Sequence, residues 1–141
     1  MMIYKIFLFF ISFFISYQLQ AQVVSTKNHK IIFQLTTADS LTHRKFIRQL
    51  ENILKAAPNA QIEVITHGMG VDLLKENSNP FFSELLALQD DGIRFTVCEN
   101  TLKQRKLKKE AFYEWSGFVQ SGILELVIKQ EQGWIYIKAG E

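Results

Sequence analysis

The chain has 141 residues and carries 16 basic against 14 acidic side chains, a formal net charge of +2. This near balance excludes a broad nucleic-acid-binding surface, which needs a large excess of lysine and arginine. The single cysteine excludes an internal disulfide, and one cysteine with three scattered histidines makes no metal-ligand cluster.

The N-terminal segment has the pattern of a secretory signal peptide. Residues 6–17 form an apolar run that is shorter than the roughly 20 residues a membrane-spanning helix needs. The sequence then turns polar, and Ala21 is the small residue expected before a cleavage site. We therefore expect residues 1–22 to be removed, which predicts a periplasmic or secreted protein with no stable membrane span after cleavage. An uncleaved anchor is the alternative. Residues 23–141 suffice for one domain with one core.

The first part of this domain predicts a strand, a helix and a second strand. Residues 30–36 are mostly apolar, as in a strand that is covered on both faces. Asp39 and Ser40 are cap formers, and beyond them apolar residues recur at helical spacing until Pro58. Residues 61–66 alternate β-branched and polar side chains and predict the second strand.

A turn that begins with His67 and Gly68 follows the second strand. Glycine allows the backbone of such a turn to approach a ligand closely. In an open parallel sheet, ligands gather at the carboxyl ends of the strands, so His67 is expected on the same rim as Cys98. An imidazole there could lower the pKa of a thiol or shuttle a proton. A turn histidine that only hydrogen-bonds its neighbours is the alternative.

A second helix is predicted to begin at Asn79 and Pro80, with Asn as its cap and Pro at its first position. The side chains expected on its buried face are Phe81, Phe82, Leu85, Leu86 and Leu88. The helix is expected to end at residues 90–92, and residues 93–98 then predict a third strand.

Cys98 stands at the end of this third strand. Asn100 or Thr101 could cap a helical turn after it, and the amide hydrogens of that turn would favour a thiolate. A reactive role also requires the sulfur to face solvent at the rim. The alternative is a buried cysteine that packs as a small apolar side chain. Five basic residues lie within residues 103–109; they can assist the thiolate only within the screening length of about 8 Å, and otherwise form a solvated surface.

The C-terminal part predicts the remaining elements. Residues 118–119 are a weak candidate for a fourth strand, residues 122–131 predict a helix capped by Ser121, and residues 134–137 predict a fifth strand. Alternating strands and helices with right-handed crossovers give a parallel sheet covered on both faces. The predicted fold is a flavodoxin-like three-layer α/β sandwich with about five mainly parallel strands. Neither a Gly-x-Gly-x-x-Gly nor a P-loop pattern is present, and no cofactor is expected.

Three stretches resemble the DsrE/DsrF-like family, which includes sulfur-relay proteins. Residues 92–102, with Cys-x-Asn-Thr-Leu at their end, resemble the family's segment of strand and cysteine. Residues 62–74 resemble its second strand and His-Gly turn, and residues 121–137 resemble its closing helix and strand. The resemblance extends from about residue 30 to the end of the chain.

This resemblance implies that Cys98 carries a persulfide and passes sulfane sulfur to a partner protein. Asn100 and Thr101 would shape the turn beside it, and His67 and Gly68 would line the neighbouring rim. Family members commonly form trimers or hexamers, so a homo-oligomer with a sulfur donor or acceptor protein is expected. An exported chain departs from the cytoplasmic sulfur-relay members. The alternatives are a non-catalytic oligomeric binding module of the periplasm with an incidental thiol, and a periplasmic redox or sulfide-stress protein.

Overall fold

A computed structural model describes residues 24–140 of the chain. The predicted signal peptide, residues 1–22, lies outside these described residues. Within them, no helix combines the length and the apolar character needed to cross a bilayer. The segment that leads into the first strand is tied to the fold by a hydrogen bond of 2.7 Å, in which the N–H of Ser25 donates to the carbonyl oxygen of Ala56.

Five strands of the described chain form one parallel sheet. The strands are β1 (Lys30–Leu35), β2 (Gln61–Thr66), β3 (Arg94–Cys98), β4 (Gly117–Val119) and β5 (Ile135–Ala139). Their order across the sheet is β4-β3-β2-β1-β5, and each neighbouring pair is parallel. The predicted α/β fold with a parallel five-stranded sheet is therefore confirmed.

Helices connect these strands. In the described residues they are α1 (Ser40–Ala56), a 3₁₀ helix (Gly68–Leu74), α2 (Phe82–Asp90), α3 (Glu99–Arg105), a second 3₁₀ helix (Lys109–Ala111) and α4 (Gly122–Glu131). The start of α1 follows from a local cap, because the carboxylate of Asp39 accepts a hydrogen bond of 2.7 Å from the N–H of Thr42. In the first turn, the ring Nε2 of His43 lies 2.8 Å from the carbonyl oxygen of Thr37, and the side chain is buried.

The strand order decides on which face each helix lies. The chain moves from β1 through β2 and β3 to β4 in one direction, so right-handed crossovers place α1, α2 and α3 on the same face. The step from β4 to β5 runs in the opposite direction and carries α4 to the other face. The larger core lies on the first face and includes Leu50 and Leu85. The smaller core, under α4, consists of Ile32, Ile65 and Leu126.

The second helix begins later than the sequence predicted. Asn79 does not cap it: the side-chain oxygen of Asn79 accepts from the N–H of Phe81 at 2.9 Å, and its amide donates to the carbonyl oxygen of Leu73 at 2.6 Å. Asn79 therefore closes a turn ahead of α2. The helix starts at Phe82, whose side chain is 45% exposed rather than buried. The ring of Phe82 packs against the ring of Tyr113 at the start of the helix, with the ring centroids 5.3 Å apart.

Candidate functional site

The carboxyl ends of β2 and β3 bring two of the predicted site residues to one edge of the sheet. Thr66 and Val97 are the last paired residues of these strands, and His67 and Cys98 occupy the next position of each. Parallel strands lie about 4.8 Å apart, so the two backbones are neighbours there. Both side chains lie on the face of the sheet that α4 covers. Cys98 contacts the start of α4. His67 contacts Gln34, whose neighbours along β1 belong to the larger core on the opposite face, so Gln34 itself points to the α4 face.

The start of α4 lies directly over the sulfur of Cys98. The N–H of Gly122, the first residue of α4, donates to the Sγ atom at 3.2 Å. Ser121 caps the helix as predicted, its hydroxyl oxygen accepting from the N–H of Leu124 at 3.4 Å. A Cβ atom on residue 122 would lie 3.0 Å from Cγ2 of Ile65 and 3.3 Å from Cβ of Cys98. Glycine is therefore the residue that lets the helix approach the thiol this closely without displacing its neighbours.

Cys98 is nearly covered within the single chain. Only 6% of the residue is exposed, so the sulfur does not face solvent as a reactive role requires, and its position in the single chain is that of the alternative, a buried cysteine. Burial raises the pKa of the Cys98 thiol, but hydrogen bonds from Gly122, Thr101 and Asn100 outweigh it and hold the pKa below its ordinary value. These hydrogen bonds stabilise the thiolate form relative to an ordinary cysteine, while the folded chain keeps the sulfur away from bulk water.

Asn100 and Thr101 do not cap α3, because this helix already begins one residue after Cys98. They tie neighbouring segments to the rim instead. The N–H of Asn100 donates to the carbonyl oxygen of Gln120 at 3.1 Å. The hydroxyl oxygen of Thr101 accepts from the N–H of Gly68 at 3.0 Å. The segments that follow β2 and β4 are thus both joined to the start of α3, on either side of the thiol.

Arg105, the last residue of α3, holds the loop that contains Gly68. Its guanidinium donates to the carbonyl oxygen of Gly68 at 3.2 Å and to the two carboxylate oxygens of Asp72 at 2.9 and 3.2 Å. Lys75 lies 2.6 Å from the same carboxylate. Burial raises the pKa of Asp72, but the hydrogen bonds from Arg105 and Lys75 outweigh it and lower the pKa. This bidentate pair fixes the His-Gly turn against α3.

The basic run does not surround the sulfur. Arg105, at the end of α3, is paired with the carboxylate of Asp72 at 2.9 and 3.2 Å, so its charge is already compensated. Farther along the run, Lys109 forms an ion pair with Glu99, and its Nζ atom lies 4.8 Å from the ring centroid of Phe118. These contacts are typical of an ion-paired surface, and they favour the interpretation of residues 103–109 as a solvated surface.

His67 is held by a neighbouring strand. Nε2 of Gln34 lies 2.7 Å from Nε2 of the imidazole. The hydroxyl of Tyr136, on β5, donates in turn to Oε1 of Gln34. Partial burial lowers the pKa of His67 below its ordinary value and so favours the neutral ring. The structure therefore places His67 next to Cys98 in strand register, while the hydrogen bond of its ring goes to β1.

Three residues of the rim were not assigned to the site from the sequence. Gln34 could have been noticed in the sequence, because it is a polar side chain between apolar residues of a buried strand. Nothing in the sequence near Tyr136 or Gly122 indicates a place at the rim, since their partners there are 102 and 24 residues away. Among residues 24–140, no group of three or more His, Cys, Asp or Glu side chains is placed to hold a metal ion.

The fold and the rim define a three-layer α/β protein with a cysteine at the carboxyl end of a parallel strand. The sequence model of the DsrE/DsrF-like family matches residues 26–139, and the chain belongs to this family. The chain is also similar to the solved structure of a protein of unknown function from Methanobacterium thermoautotrophicum. The two are 27% identical with a TM-score of 0.75, over 79% of this chain and 99% of the other. The search of curated proteins found no match.

Proposed function

We propose that this protein is a sulfur carrier that holds sulfane sulfur as a persulfide on Cys98. The observation that carries the proposal is the hydrogen bond of 3.2 Å from the N–H of Gly122 to the Sγ atom, at the carboxyl end of β3. Such a bond stabilises an anionic sulfur. Membership of the DsrE/DsrF-like family supports the same chemistry, because the family includes sulfur-relay proteins.

The proposed reaction moves one sulfur atom without net oxidation. The Cys98 thiolate attacks the terminal sulfur of a donor persulfide, R–S–SH. A new S–S bond forms as the S–S bond of the donor breaks, and its electron pair leaves with the donor as R–S⁻. Cys98 then carries –S–SH. A thiolate on an acceptor protein attacks that terminal sulfur in the same way, which transfers the sulfur and restores the Cys98 thiolate.

Access of a donor requires the segment over the sulfur to move. Cys98 is 6% exposed, and the residues that follow β4 lie across it. Moving the start of α4 away breaks the hydrogen bond from Gly122, and a hydrogen bond to a charged group contributes about 1.5–3 kcal/mol. Local openings of this cost are common in native proteins, so a donor can reach the thiol without global unfolding.

Mass spectrometry of the intact protein tests the proposal. The native protein is treated with polysulfide, and a gain of about 32 Da, one sulfur atom, is expected. Cys98→Ser is the matched control and is expected to gain nothing, because Cys98 is the one cysteine in the chain. The proposal fails if the native protein stays unmodified while the same protein in urea gains the sulfur.

A second candidate function is an oligomeric binding module in which the thiol is incidental. The burial of Cys98 favours it, and so do apolar side chains on α4 and β5 that are about half exposed. These side chains are Ile123, Leu124, Val127 and Ile135. The module predicts a slowly reacting thiol and an oligomer that Leu124→Glu dissociates in sedimentation experiments, with Cys98→Ser behaving as the wild type. Oligomerisation by itself is compatible with both candidates, so the thiol chemistry decides between them.

A further inference from the structure

A row of three hydrogen-bonded side chains crosses the α4 face of the sheet and ends beside Cys98. It consists of Tyr136 on β5, Gln34 on β1 and His67 after β2. We call these three side chains the polar row. The strands that carry them are consecutive in the sheet, and β3 with Cys98 comes next. The row therefore joins the outer strand β5 to the rim at which the sulfur lies.

The chemistry of the row fixes which nitrogen of His67 carries a proton. A side-chain amide has one oxygen, which only accepts, and one nitrogen, which only donates. The hydroxyl of Tyr136 donates to Oε1 of Gln34, which leaves Nε2 of Gln34 facing the ring at 2.7 Å. With the amide in this orientation, Nε2 of His67 is the acceptor. In a neutral imidazole the other nitrogen, Nδ1, carries the hydrogen.

We propose that Gln34 and Tyr136 are positioning residues that hold His67 as the neutral tautomer protonated on Nδ1, so that its ring serves the rim as a hydrogen-bond donor and not as a base at Nε2. Partial burial, which lowers the pKa of the ring, acts in the same direction.

The inference extends the proposed function, because the sulfur of Cys98 occupies the neighbouring register position. A persulfide anion gains stability from a neutral N–H donor, as it does from the N–H of Gly122 on the α4 side. A base at His67 would instead need a free lone pair on Nε2, which Gln34 occupies. With Nε2 occupied, the ring is not placed to remove a proton through that nitrogen, and Nδ1–H is the group that it can offer to an anion.

Nuclear magnetic resonance of protein with ¹⁵N-labelled histidine tests the tautomer directly. Long-range ¹H–¹⁵N correlations distinguish Nδ1–H from Nε2–H rings, and His67→Asn assigns the signal of His67 among the three histidines. The wild type is expected to show the Nδ1–H pattern at pH 7. An Nε2–H ring or an imidazolium in the wild type overturns the inference.

Substitutions at Gln34 test whether the row sets the tautomer. Gln34→Glu replaces a donor by an acceptor, so it is expected to move the hydrogen to Nε2 and to raise the pKa of His67. Tyr136→Phe frees the amide to turn over and is expected to give a mixture of the two tautomers. Gln61→Glu makes the same chemical change at the exposed other end of β2 and serves as the matched control. An unchanged tautomer in Gln34→Glu contradicts the inference.

The test separates this inference from the sulfur-carrier proposal. If polysulfide never modifies native Cys98 but the Nδ1–H tautomer is present, the carrier proposal fails and the assignment of the row stands. If Cys98 takes up sulfur while His67 shows an Nε2–H ring, the carrier proposal stands and the assignment of the row fails.

Discussion

Gly122→Ala is the substitution that most directly probes the thiol. The added Cβ atom would lie 3.0 Å from Cγ2 of Ile65 and 3.3 Å from Cβ of Cys98, so the start of α4 must move outward by a few tenths of an ångström. A full hydrogen bond to a thiolate contributes about 1.5–3 kcal/mol. Losing about half of it raises the thiol pKa and reduces the thiolate fraction at pH 7 by about three- to tenfold. Crowding also costs about 1–3 kcal/mol of stability, partly offset by the helix propensity of alanine.

The thiolate is followed by its ultraviolet absorbance during a pH titration, and stability by urea unfolding. Gly117→Ala is the matched control, because its Cβ atom would lie 3.2 Å from Oγ1 of Thr96, a similar crowding in β4 that leaves the Gly122 amide in place. Both variants are expected to lose stability, but only Gly122→Ala should raise the pKa of Cys98. Equal pKa values in Gly122→Ala and the wild type would refute the role given to the amide.

Two further predictions concern ion pairs, one beside the rim and one beneath α4. Arg105→Ala should cost about 1 kcal/mol, because the pair with Asp72 is partly exposed. The folded-state pKa of Asp72 is lowered, so its ion pairs stabilise the fold above about pH 4, and this stabilisation disappears as the pH falls through the folded pKa. The difference in unfolding free energy between Arg105→Ala and the wild type, measured with urea, should therefore shrink at low pH. A difference that stays constant with pH would contradict this reasoning. Glu63→Gln breaks a buried pair with Lys129, 2.7 Å away, and should cost about 3 kcal/mol in urea unfolding. Glu125→Gln, whose carboxylate is 3.7 Å from the same Lys129 and more exposed, should cost less than about 1 kcal/mol, and similar losses in both variants would refute the argument.

Elements whose signals lie within a few residues could be predicted from the sequence. The strand over residues 61–66 and the helix over residues 122–131 agree with β2 and α4, and Ser121 caps α4 as predicted. In each case the periodicity of the element and the turn or cap formers at its ends are adjacent in the chain. Local chemistry alone determines such elements, so reading the chain in order is sufficient to find them.

The errors occur where distant segments decide the outcome. The sequence made no prediction for Glu63, which is buried in β2 and paired with Lys129 on a helix that comes much later in the chain. The sequence left the exposure of Cys98 open between two alternatives for the same reason, since its cover comes from Gly122 on a different element. At the start of α3 the caps proposed from local propensity, Asn100 and Thr101, are instead used to tie the rim together. Tertiary contacts override local preference at these positions.

The covering of the thiol by α4 has a consequence for how the molecule assembles. Cys98 ends a strand in the middle of the sheet, whereas its cover belongs to the last crossover of the chain, between β4 and β5. Until that crossover docks, the sulfur is open to any alkylating reagent in solution. Brief alkylation at successive times during refolding will therefore label the molecules in which the final helix has not yet docked. The labelled fraction then gives the rate of the last step of folding.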